Sequence, residues 1–240
     1  LLGTPTGTIF GAGATIAVDG AHPDYTAKYT LAGTETEGTV PFTLDFTDAT
    51  GNVAVQVTAI TSGSNVTFDM TAPETTAVTI ASDNADTAKA KVNDIVTVSF
   101  TVDEPLLATP VVTVDTQSAT VSGTHPNYTA AYTMQAGDTE GTLAFTIDFT
   151  DAAGNLATTV TAITAGVGVV FDETKPTATA VTIDSNNADT TKAKVNDIVT
   201  ISFTVDEALL ATPVVTIDTQ SATVAGTHPN YTAAYTMRAG

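Results

Sequence analysis

The acidic residues are the part of this sequence with chemistry to offer. Asp69, Asp103, Glu104, Asp148, Asp151 and Asn155 form one set, and Asp172, Glu173, Asp206 and Glu207 form a second. Most bring carboxylates, and Asn155 adds a neutral amide oxygen. A calcium ion takes about six to eight such oxygens. Calcium is therefore the cofactor this chain would take. Glu35 and Glu37 would face the first set, and Asp138 and Glu140 the second. The competing reading is a solvated acidic loop, because Asp-Ala-Ala-Gly-Asn at 151–155 makes a good turn without any ion. Neither an EF-hand loop nor a glycine-rich calcium array is present.

Other chemistry is thinner. His22, His125 and His228 each precede a proline in the same loop of successive repeats, which predicts a turn role rather than a shared zinc site. Cysteine is absent, so disulfides and thiol nucleophiles are excluded. There is no phosphate-binding glycine loop, and a carboxylate pair needs a cleft to act on a glycoside. The expectation is a protein that is not an enzyme. Lys89, Lys91, Lys192 and Lys194 lie in polar stretches, which argues against a core isopeptide crosslink. Asn65, Asn127 and Asn230 match the N-glycosylation sequon, a match that a Thr-rich chain produces readily by chance.

The elements that must position these groups read as strands. Val96, Val98, Phe100 and Val102 alternate with Thr97, Ser99 and Thr101, the pattern of a half-buried strand. Further strands are predicted at 76–82, 111–115, 119–122, 128–134, 143–150 and 156–163. Residues 83–94 form a polar loop between the first two. Residues 68–73 read as a linker, because Pro73 ends regular pairing. Tyr128, Ala130, Tyr132 and Met134 should face the core, as should Leu143, Phe145, Ile147 and Phe149. Seven short strands with turn signals every 8–12 residues or so predict an immunoglobulin-like β-sandwich. In that topology the entering linker, the loop after the second strand and the last hairpin meet at one end. Those are the segments that carry the first acidic set.

The same pattern recurs along the chain. Thr-His-Pro-Asn-Tyr-Thr-Ala-Ala-Tyr-Thr-Met stands at 124–134 and again at 227–237, and a cousin stands at 21–31. Residues 68–137 and 171–240 align without a gap, and the first copy has diverged further. A period of 103 residues is the size of a small domain. The predicted organisation is a partial repeat at 1–67, a complete repeat at 68–170 and a partial repeat at 171–240. The chain starts at Leu1-Leu2, the counterpart of Leu106-Leu107, and stops at Gly240, the counterpart of Gly137. It reads as a window on a longer repetitive protein. Completion of one end repeat by the other across molecules fits this reading poorly, because both contain the same middle strands.

Composition narrows the partners. Seven basic residues against 26 acidic ones give a net charge of −19. Nucleic-acid binding needs basic stripes, and an anionic membrane surface would repel this chain. Its acidity suits solubility and cation binding.

Four stretches carry a resemblance. They are Asp94–Glu104, Tyr128–Thr133, Glu140–Ile147 and Asp151–Asn155. Together they resemble the bacterial immunoglobulin-like repeats of large cell-surface proteins and adhesins, and the resemblance covers all three copies. Many relatives carry Ser-Glu where this chain has Asp103-Glu104 and Asp206-Glu207. The resemblance implies an extracellular, tandem, elongated array, a stalk, spacer or filament, with calcium at some junctions. Its partners would be neighbouring repeats and identical chains in a filament. The alternative is an adhesion module that binds a glycan or another cell through its loops. Against it, those loops hold few aromatics to anchor a partner.

Overall fold

Residues 1, 3–11 and 17–239 are described in a computed structural model. Leu2 and Gly240, which mark the repeat phase at the two ends, lie outside the described residues. Those residues are all β, with no helix. The chain divides into two units, Leu1–Asp172 and Glu173–Gly240.

The complete repeat is built around two main sheets, with a small third sheet beside them. In the first, the order is Thr120–Thr124, Asn127–Thr133, Ile95–Val102, Thr75–Ser82. In the second, Val111–Val114 lies between Gln117–Ser118 and Phe145–Asp148. All of these pairs are antiparallel. The alternation read in the sequence places Val96, Val98, Phe100 and Val102 inside at 3% exposure or less. From the other sheet Val112, Val114, Phe145 and Ile147 join them in one core. Phe100 stacks on Tyr128 with ring centroids 5.5 Å apart. The arrangement is sandwich-like, with apolar side chains from two sheets filling the space between them.

Three segments differ from the strand reading. Lys89–Ala90, inside the expected polar loop, pairs in parallel with Val170–Phe171. Val170–Phe171 also pairs with Gly141–Thr142, and Thr67–Phe68 pairs with Gly38–Thr39 in the same way one repeat earlier. Phe68 is therefore part of a strand rather than linker. The expected strand at 156–163 makes only isolated bridges, Thr150 to Leu156 and Ile147 to Val160. Its inward positions are Ala157, Val160 and Ile163. That spacing of three cannot sustain a pleated strand, whose side chains alternate every two residues.

The other copies hold parts of the same plan. In Glu173–Gly240 the order is Ala178–Ser185, Ile198–Val205, Asn230–Thr236, Thr223–Thr227. The register is retained: Ile183 opposes Ile201 as Ile80 opposes Val98. In the first copy Thr6–Ile9 pairs with Phe42–Asp45, as Val111–Val114 pairs with Phe145–Asp148.

Candidate metal centre at a repeat junction

The centre is assembled from a turn, a loop and the segment between two repeats. The turn comes first. The Asp151 carboxylate accepts the N–H groups of Ala153, Gly154 and Asn155 at 2.8, 2.6 and 2.8 Å. The Asn155 amide donates to the other Asp151 oxygen at 2.7 Å. Gly154 sits at φ +106°, a region glycine enters without steric cost. Burial works to raise the Asp151 pKa, but the Asn155 amide and the three backbone donors outweigh it and hold the carboxyl below its ordinary value. The side chain is fully buried and anionic.

Two other segments meet this turn. The Asn155 amide also reaches the Asp69 carbonyl oxygen at 3.2 Å. The loop 103–106 lies against the turn through Ala152 N–H to Pro105 carbonyl at 3.2 Å and a bridge between Leu106 and Asp151. As a result Asp69, Glu104 and Asp151 each offer a carboxylate oxygen within 4.8 Å of the others. Oxygens that share one calcium at about 2.4 Å cannot lie more than about 4.8 Å apart. The three groups fit that limit, and each comes from a different segment.

The electrostatics point the same way. Burial raises the Glu104 pKa, and the neighbouring charges of Asp69, Asp151, Asp103 and Glu37 raise it further. A carboxyl pushed up by four other carboxylates gains from a cation placed among them. Glu37 belongs to the first copy. It accepts the Met70 N–H at 2.7 Å and the Thr71 hydroxyl at 2.8 Å, which ties that copy to the connecting segment.

Other residues of the predicted sets are spent elsewhere. Asp103 accepts the Glu74 N–H at 2.9 Å and so clamps the entry of the first strand. Asp148 accepts the Thr159 hydroxyl on the outer side of its sheet. Glu35 closes its own turn by accepting Tyr29 OH and the N–H groups of Ala32, Gly33 and Thr34. Those bonds, led by the Tyr29 hydroxyl, hold its pKa down to about 2. Asp138 occupies the same position one repeat later and accepts Tyr132 OH and the Gln135 N–H.

In the second set Asp206 plays the part of Asp103, accepting the N–H and hydroxyl of Thr177. Asp172 ends one unit and Glu173 begins the next, and Glu207 is the counterpart of Glu104. The counterpart of Asp151 falls past residue 240.

Two polar groups escaped the sequence reading. Asp48 and Asn52 in the first copy repeat the Asp151–Asn155 turn, with the amide 2.7 Å from the carboxylate. Asp94, 7% exposed, accepts Asn84, the Lys91 N–H and the Lys91 ammonium. Asp197 does the same with Asn187 and Lys194. The legible signal was Lys-Val-Asn-Asp, unchanged at 91–94 and 194–197.

Comparison with protein-family profiles, curated proteins and solved structures found nothing that matches this chain.

Proposed function

We propose that this chain is a structural repeat region, a stalk, spacer or filament of a bacterial surface adhesin or fibre. Its units are tandem immunoglobulin-like domains in an elongated, extracellular array, and calcium stiffens the junction at Asp69, Glu104 and Asp151. The observation that carries the reading is repetition down to single bonds. Ile80, Val98 and Ala130 line up across three strands, and Ile183, Ile201 and Ala233 line up in the same way. The buried Asp94 cluster recurs around Asp197. A chain that spends its sequence on rebuilding one bead gains length with each copy, as repeat proteins do.

The junction explains how calcium would act. Asp69 lies just past the Thr67–Phe68 strand that belongs to the first copy's pairing, while Glu104 and Asp151 belong to the complete repeat. An ion held by all three fastens the connecting segment to the repeat that follows. Without it the three carboxylates repel.

Small-angle scattering in millimolar calcium and then in EDTA tests this. A rod in calcium that becomes flexible in EDTA supports the junction site. Identical rods in both remove calcium and leave the stalk. A compact globule in both defeats the spacer reading.

A further inference from the structure

The segment that leaves the complete repeat is bonded into that repeat first. Val170–Phe171 lies between Lys89–Ala90 and Gly141–Thr142. Val169 and Phe171 are 0% and 1% exposed, in the core they share with Ala90 and Leu143. The Thr164 N–H donates to the Val78 carbonyl, the Val170 N–H to the Ala88 carbonyl and the Asp172 N–H to the Ala90 carbonyl, each at 2.9 Å. The Val78 N–H donates in turn to the Thr164 hydroxyl at 2.9 Å. Asp172 is also the residue at which the first compact unit ends.

These bonds have a direction. Partner positions rise together, from Val78 with Thr164 to Ala90 with Asp172, so the segment that opens the repeat and the segment that closes it run the same way. The ladder between them, Lys89–Ala90 with Val170–Phe171, is parallel. The chain enters this pair at the Val78 end and leaves it at the Asp172 end, which are opposite ends. Tension along the chain therefore slides the two segments past each other and loads their bonds together. Hairpins inside the repeat, such as Val111–Val114 with Gln117–Ser118, lie between the two segments in sequence and carry no load until these part. Forced unfolding is governed by the unfolding rate, and so by the bonds that must break first.

We propose that this pair is a tensile clamp, which gives the complete repeat a load-bearing function beyond that of a spacer. What pulls on the clamp rests on the stalk reading. The clamp itself rests on the pairing alone and does not involve calcium. Antiparallel segments in the same place would open like a hairpin, one bond after another. The parallel pair holds because its bonds fail together. Val169 and Phe171 add to the resistance, since a slip of one residue along a strand turns its buried side chains to the opposite face.

The test pulls the 240-residue chain in EDTA through introduced cysteines, which are unique handles because the sequence has none. Ala72→Cys with Thr174→Cys loads the pair lengthwise, and Thr87→Cys with Val167→Cys peels it open from one end. All four positions are exposed, and none supplies a bond of the clamp. At one loading rate the lengthwise pull should need severalfold more force than the peel. It should release about 30 nm of chain in a single step, at about 3.3–3.6 Å per residue. A second comparison removes single bonds. Val170→Pro deletes the N–H that reaches Ala88, and Ala119→Pro deletes the N–H that reaches Val112 at 2.9 Å, outside both segments. The first should lower the lengthwise force far more than the second. Equal forces in the two directions overturn the clamp, and so does a lengthwise force that the two proline variants lower alike. If a proline variant fails to fold, the two directions of pull decide alone. Loss of the clamp leaves the stalk reading standing, because scattering tests that separately.

Discussion

Carboxylates with opposite pKa shifts, Glu104 in the complete repeat and Asp197 in the copy after it, make opposite predictions. Glu104 is pushed up, so its ionised form is disfavoured in the folded state. Without a cation, stability is lost as pH rises from the unfolded value toward the raised one. Glu104→Gln should therefore raise the melting temperature in EDTA at neutral pH and shrink the gain that calcium gives. Thermal unfolding with and without calcium checks both, and an unchanged EDTA value would mean that the cluster is not strained. Asp197 is the reverse case. Bonds from Lys194, then Asn187, hold its pKa down to about 2. Its contribution is complete above the unfolded carboxylate value of about 3.9 and is lost as pH falls toward 2. Asn187→Ala should move acid unfolding to higher pH, as read by circular dichroism. The site was partly legible at this scale. The turn chemistry of Asp151 and Asn155 is local, and so was readable. That Asp148 points away also follows from alternation with the buried Ile147. The separate use of Asp103 on Glu74 depends on a partner 29 residues away, which spacing does not reveal.

Among the elements, the same substitution in two copies separates packing from propensity. Phe100 is 3% exposed between two sheets, whereas Phe203 is only half-buried on an uncovered one. Phe100→Ala should cost about 3–5 kcal/mol, the range for a packed aromatic, and Phe203→Ala distinctly less. Denaturant unfolding of the two variants measures the difference. The hairpin at Asp115-Thr116 offers a change of opposite sign. Both residues have positive φ, 46° and 66°, and Asp218-Thr219 repeats the pair at 51° and 62°. Two-residue loops of this kind favour Asp-Gly, and a β-branched residue there is strained. Thr116→Gly should stabilise the complete repeat by about 0.5–1 kcal/mol. The long strands were readable because their period of two is written in Val, Ile and Phe. Lys89–Ala90 was not, because two residues carry no period and their partner lies in Val170–Phe171. The segment 156–163 misled because its composition suits a strand while its inward positions recur every third residue.

For the whole molecule, the recurrence of the 103-residue unit was plain in the sequence, whereas the pairing of its shortest strands emerges only from the structure. The common register has a consequence for how such a chain reaches its folded state. Thr75–Ser82 and Ala178–Ser185 are near copies, as are Ile95–Val102 and Ile198–Val205. A refolding chain therefore offers each strand more than one acceptable mate, and sequence alone cannot sort them. Synthesis can, because a domain released from the ribosome folds before its twin exists. In such a protein the order of birth, rather than the identity of any residue, decides which strands end up together.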